Sequence, residues 1–344
     1  MQELSGARRL SWAGVVAGIA IALSAPASAD EVNLYTTREP GLIRPLLDAF
    51  TAETGIAVNT VFVETGLSAR VAAEGANSPA DVLMTVDIGN LVDLVDAGVT
   101  RPIESALLDA AVPPNLRDPD GRWYALSLRA RVLYARKGLD VTPFSYEQLA
   151  DPQWKGRVCI RAGQHPYNIG LFAAYIAHHG EAAARTWLSG LADNLARSPG
   201  GGDRDVARDI LGGICDIGPA NSYYVGQMRS GAGGPEQETW GAAIDVVLPT
   251  FAGGGTHVNV SGAAVAVNAP NPANAVRLLE FLASDQGQRL YAHADFEYPV
   301  KPGVEADPII AALGELVPDP LSLATIAGYR KAASELVDEV GFDD

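Results

Sequence analysis

From residue 32 onward the chain alternates strand-like and helix-like segments, and that alternation restricts it to the α/β class. Val32 to Tyr35, Val58 to Val63 and Pro79 to Thr85 read as strands. Between and after them lie an amphipathic helix from Leu42 to Glu53 closed by Gly55, a helix through Arg70 to Glu74, and one from Asn90 to Asp96. That order predicts a mostly parallel sheet flanked by helices. Gly121 to Arg136 then reads as one extended segment with Leu126, Leu128, Ala130 and Val132 on one face, crossing into a second lobe. There Arg157 to Arg161 is expected as a strand and Asn168 to His179 as a helix. Thr256 to Val267 is extended again, and Pro272 opens a helix with Val276, Leu279, Phe281 and Leu282 facing the core. Ser322 to Val340 reads as a single amphipathic C-terminal helix.

The first 29 residues have the pattern of an export signal: Arg8-Arg9, an apolar core from Trp12 to Leu23, and Ala27-Ser28-Ala29 before Asp30. No cysteine stands at that cleavage site for lipid attachment, so the expected product is a freely soluble periplasmic protein. About 315 residues then remain, which suits two domains better than one core. The expected division is 30–130 with 250–300 in one lobe, and 131–249 with 301–344 in the other. Losing Glu3, Arg8 and Arg9 moves the formal charge from −16 to −17, a field that repels nucleic acid and anionic lipid. Cys159 and Cys215, the only two cysteines, predict one disulfide in an oxidising compartment, each on a short strand-like segment (Val158 to Ile160 and Ile214 to Asp216).

Tyr223-Tyr224 follows the run Cys215-Asp-Ile-Gly-Pro-Ala-Asn-Ser. In a strand two adjacent side chains point to opposite faces. At the first turn of a helix, which Asn221-Ser222 signals, both can lean into a cleft. Ligands in open α/β lobes bind beyond the carboxyl ends of strands. The residues expected there are Tyr35, Thr37, Arg38, Asp87, Arg129, His165, Tyr167, Tyr223 and Tyr224. A phenol cluster is a hard donor set suited to a small, highly charged cation such as Fe(III), and three phenolates balance its charge. Arg38 and Arg129 would offset an additional anion. An aromatic cage for another solute is the rival reading, with an exported metal-dependent enzyme behind it. The enzyme reading lacks a general base, a Gly-x-Ser-x-Gly elbow and a Ser/His/Asp arrangement. Gly200-Gly-Gly-Asp-Arg-Asp lacks the Gly-Lys-Ser/Thr ending of a phosphate loop. The five histidines show no metal spacing.

Asn271-Pro-Ala-Asn-Ala-Val-Arg-Leu-Leu-Glu-Phe-Leu resembles a helix of the two-lobed periplasmic solute-binding proteins, whose ligand cleft lies between the lobes. More narrowly, the mature chain resembles the ferric-ion-binding proteins of bacterial iron-uptake ABC transporters, in the branch with three tyrosine ligands from the second lobe. Val32-Asn-Leu-Tyr-Thr-Thr-Arg, Ser78-Pro-Ala-Asp-Val-Leu-Met-Thr-Val-Asp, Asn221-Ser-Tyr-Tyr and Glu297-Tyr-Pro-Val carry the resemblance. It implies Tyr167, Tyr223 and Tyr224 as Fe(III) ligands, and Arg38 and Arg129 as holders of a carbonate or bicarbonate anion. It also implies a monomer that delivers iron to an inner-membrane ABC permease and catalyses nothing. Some relatives carry His-Tyr after the arginine matching Arg38, where this chain has Glu39-Pro40. That departure leaves carbonate or water to complete the coordination. Glu39 then reads as a surface carboxylate opening the next helix, and His165 as a neighbour of the site.

Overall fold

The computed structural model describes residues 30–344; the expected export signal lies outside the described residues. β1 (Glu31–Thr36), α1 (Pro40–Thr54), β2 (Ala57–Phe62), α2 (Leu67–Glu74), β3 (Val82–Thr85) and α3 (Ile88–Asp96) alternate as their periodicity predicts. Gly55 ends α1 at φ 74°, a left-handed conformation that disfavours any residue with a Cβ. β4 (Thr100–Arg101), α4 (Ala106–Ala111) and the 13-residue strand β5 (Tyr124–Arg136) come next. Then come α5 (Pro166–His179), α6 (Glu181–Asp193), α7 (Asp203–Leu211), β6 (Ile217–Asn221), α8 (Tyr223–Arg229), α9 (Pro235–Ala242) and β7 (Ile244–Val247). β8 (Val258–Ala266), α10 (Pro272–Leu282) and α11 (Asp285–Asp295) lead to α12 (Pro308–Ala311), α13 (Leu323–Ala327) and α14 (Arg330–Glu339). Among the described residues no helix is long and apolar enough to cross a membrane.

The strands run in the order β2-β1-β3-β8-β5-β6, with β4 on β8 and β7 on β5. β1 pairs in parallel with β2 and β3, and the later pairings are antiparallel. β5 is the crossing segment. Its residues from Tyr124 to Ala130 pair with β8, and from Arg131 onward it pairs with β6 and β7. All of β8, and all of β5 except Arg136, is buried. Both faces are therefore covered, which explains a near-continuous apolar run in place of alternation.

Three segments differ from the sequence reading. Arg157 to Arg161 forms no regular strand; Val158 alone bridges to Leu195 and to Ile217. Ile214 to Asp216 lies just ahead of β6. The C-terminal helix is broken: α13 packs against α3 and α5, whereas α14 packs against α5 and α6, and the chain turns at Gly328 to make both contacts.

Cys159 and Cys215 form a disulfide across 56 positions of sequence, with both residues buried. It ties the segment leading to α5 to the segment leading to β6 and α8. On the chain-entropy model such a closure stabilises by about 4 kcal/mol. The double variant Cys159→Ala/Cys215→Ala is expected to lose that much in urea unfolding. A loss below about 1 kcal/mol would show that the unfolded chain is already constrained there.

Candidate metal centre

The chain just beyond β1, β3 and β6 borders a cavity of about 410 Å³, where open α/β sheets place their ligands. Arg38, Arg129, Tyr167, Tyr223 and Tyr224 all line it. Tyr167 occupies the first turn of α5, behind Pro166 and the N-cap His165, whose Nδ1 accepts the Tyr167 N–H at 3.2 Å. Tyr223 and Tyr224 open α8. Their rings lie 4.1 Å apart between centroids, and the Tyr167 and Tyr223 hydroxyls are 3.3 Å apart. Two helix starts from distant parts of the chain thus present phenol oxygens to one point.

A buried polar network sets both helix starts. Asp203, the first residue of α7, accepts from Arg131 Nη1 at 2.7 Å, from Arg161 Nη1 at 3.2 Å and from the Asn221 backbone N–H at 2.7 Å. Arg131 also donates to Asn168 Oδ1 in α5 at 2.6 Å and to Asn221 Oδ1 at 3.2 Å. Arg129 and Arg131 are two residues apart on β5 and so share a face. One borders the cavity and the other braces its floor. The expected capping by Asn221-Ser222 does not occur. Ser222 Oγ accepts the Ala130 N–H at 3.2 Å, tying α8 to β5 instead. Gly226 of α8 lies under Phe296, where an added Cβ would come within 2.2 Å of the ring.

Guanidinium groups already cover the outer faces of the rings. Arg161 lies 5.0 Å and Arg129 5.8 Å from the Tyr167 centroid, and Arg204 lies 5.4 Å from that of Tyr224. Burial pushes the Tyr223 phenol well above its ordinary pKa, with Tyr167 and Tyr224 adding to the rise. Tyr224 moves up for the same first reason. Burial, then Arg161, pushes His165 down to about 4, so it stays a neutral cap with its ring edge-on to Tyr167, 4.5 Å between centroids.

Of the other expected cleft residues, Thr37 borders the cavity, as does the exposed Glu39. Tyr35 does not: it is buried, its hydroxyl bonding Glu74 at 3.3 Å with Arg70 over its ring. Asp87 caps α3, accepting from the Gly89 N–H at 2.7 Å. His178, His179 and His293 pair with Asp319, Glu147 and Asp307 away from the tyrosines. Among the described residues no group of three His, Cys, Asp or Glu is arranged to hold a metal ion.

Asp295 and Gln227, which sequence reasoning passed over, also border the cavity, and so do Arg204 and Glu297, which it met only as parts of motifs. Arg204 had a signal available, because the Gly200-Gly-Gly turn opens α7 directly before Asp203 and Arg204. Asp295 had none. It ends α11, and Phe296 beyond it adopts φ 57°, unusual for a residue with a side chain. That reversal brings Asp295 and Glu297 onto the same guanidinium.

A family model described as bacterial extracellular solute-binding protein matches residues 77–311, more than half of the chain. The chain belongs to this family. The solved Bordetella ferric binding protein is 64% identical, covering 92% of this chain and 100% of that one, with a TM-score of 0.89. Iron uptake protein A2 of Synechocystis sp. is 43% identical over 323 residues, 92% of each chain. A Trichodesmium protein solved with iron and citrate ligands is 37% identical, covering 91% and 99%, with a TM-score of 0.86. The likeness to such solute-binding proteins makes the architecture two-lobed, with β5 running from the sheet of β1, β2, β3, β4 and β8 into that of β6 and β7.

Proposed function

We propose that this solute-binding protein captures Fe(III) in the periplasm through Tyr167, Tyr223 and Tyr224 and delivers it to an inner-membrane ABC permease. It acts as a monomer and catalyses no reaction. The observation that carries the reading is the convergence of the phenols, with the Tyr167 and Tyr223 oxygens 3.3 Å apart and the Tyr224 ring centroid 4.1 Å from that of Tyr223. Relatives named for iron uptake and ferric binding support it, and the export-signal pattern supports the compartment. The lobes are taken as 30–130 with 250–300, and 131–249 with 301–344, hinging where β5 crosses. Carbonate or bicarbonate, held by Arg129 with Arg38 behind it, completes the coordination.

The chemistry favours a trivalent ion. Neutral phenols are weak donors, and burial holds Tyr223 and Tyr224 protonated. Only a cation of high charge density repays the loss of those protons by stabilising phenolate. An organic cation in an aromatic cage fits less well, since Arg161 and Arg204 already occupy ring faces.

Titrating apoprotein with ferric citrate in bicarbonate buffer is expected to raise a visible tyrosinate-to-iron charge-transfer band saturating at one iron per chain. The pH dependence has a definite sign. Apo Tyr223 and Tyr224 carry protons at neutral pH and the loaded form does not, so loading releases at least two protons. Apparent affinity then falls by about 100-fold per unit of acidification. Competition with a chelator between pH 5.5 and 7.5, corrected for the chelator's own protonation, measures this slope. A slope below about one decade per unit, or no band, would exclude the phenols as ligands.

A further inference from the structure

The two arginines facing the cavity are not a free positive site. Arg38, Arg129, Asp295 and Glu297 are all at most 4% exposed, and their charges cancel. Arg38 is committed through both terminal nitrogens, which donate to Asp295, to Ser261 and to Glu297, the last at 2.9 Å, leaving only its Nε without a partner. Arg129 is not. Its Nη2 donates to the carbonyls of Val86 and Val260, its Nη1 lies 3.8 Å from Glu297, and its Nε has no partner. Asp295 Oδ1 is likewise buried without a partner. Glu297 is held on its other side by the Ser127 and Ser261 hydroxyls. The cluster thus keeps two unpartnered donors, Arg38 Nε and Arg129 Nε, and one unpartnered carboxylate oxygen, Asp295 Oδ1.

An anion arriving at Arg129 would leave this buried group with a net negative charge, which a low-dielectric site resists. We propose that the cavity takes up its anion together with a proton, the anion on Arg129 and the proton on Asp295. The step is a simple protonation: buffer acid gives up a proton, and an O–H bond forms at Asp295 Oδ1. Glu297 stays ionised and keeps Arg38 paired. The groups facing Asp295 are Arg38 from the β1–α1 turn, Glu297 beyond Phe296, Arg129 from β5 and Tyr291 on its own helix, with Tyr223 of α8 bordering the same cavity. Burial raises the Asp295 carboxyl to about 7 against the pull of Arg38, with Glu297 adding to the rise. For Glu297, burial is outweighed by Arg38 and Arg129, and its pKa lies below the usual value. The inference deepens the proposed function by naming the charge state of the accompanying ligand, and rests on that reading only in sharing its cavity.

The test uses the full mature apoprotein and oxalate, which stays fully ionised from pH 6 to 9, in bicarbonate-free solution. Calorimetric titration in two buffers of different ionisation enthalpy counts the protons taken up. The wild type is expected to take up about one proton per oxalate at pH 8 and almost none at pH 6, with affinity falling toward tenfold per unit between pH 7.5 and 8.5. Asp295→Asn, which mimics the protonated acid, is expected to show no uptake and a flat affinity. Binding without proton uptake at pH 8, uptake retained in Asp295→Asn, or no oxalate binding at millimolar concentration would each overturn the proposal. The wild-type comparison of pH 6 with pH 8 stands even if the variant misfolds. Because no iron is present, failure here leaves the charge-transfer result untouched, and the reverse also holds.

Discussion

Tyr224→Phe is expected to abolish the charge-transfer band at stoichiometric iron and to weaken Fe(III) binding by about 1000-fold or more. Changing groups around a metal ligand costs about 10–100-fold, so removing one of three anionic ligands should exceed that range. The variant isolates the oxygen. Phenylalanine keeps the ring against Tyr223, 4.1 Å away, and under Arg204, 5.4 Å away. Stability should change by less than about 1 kcal/mol, since the Tyr224 hydroxyl has only Tyr223 as a hydrogen-bonding neighbour and Tyr224 is only partly buried. Chelator competition and thermal unfolding on the same preparation separate the two effects. Near-wild-type iron affinity would refute the three-phenol site and favour a ligand that stacks on the rings.

Asp203→Ala is expected to cost about 3–5 kcal/mol of stability, the range for removing one partner of a buried ion pair. Asp203 is 1% exposed and serves Arg131, Arg161 and the Asn221 N–H at once. Its loss strands the buried Arg131 guanidinium and a backbone donor. Iron binding should weaken in step, because Arg131 positions Asn168 beside Tyr167 and Asn221 ahead of Tyr223. Asp203→Asn, which keeps the shape and one acceptor, should fall between wild type and alanine in both measurements. Urea unfolding that shifts by under 1 kcal/mol would mean that water or rearranged side chains replace the network.

Much of the fold was readable from residue pattern. β1, α1 with its Gly55 stop, β2, β3 and the long crossing strand follow from short-range causes: periodicity, a left-handed glycine and β-branched runs. The errors share a different cause. Ser322 to Val340 has helical periodicity throughout, yet it must touch both α3 and α6, and the chain breaks at Gly328 to do so. Ser222 is a good capping residue whose hydroxyl is claimed by a strand 92 positions away. Val158 looks like strand, but its neighbours each meet it at one residue only.

The same division runs through the site. Sequence by itself determined that two helix starts carry tyrosines, that arginines stand at 38 and 129, and that the two cysteines join. Those are local chemistry or simple elimination. Only the tertiary structure decided that the arginines face a cavity already neutralised from within. Arg38 meets Asp295 across 257 positions and Glu297 across 259. Charge pairing at that range leaves no periodic trace in a sequence. It depends on where α11 ends, on the left-handed Phe296, and on Gly226 leaving room for its ring.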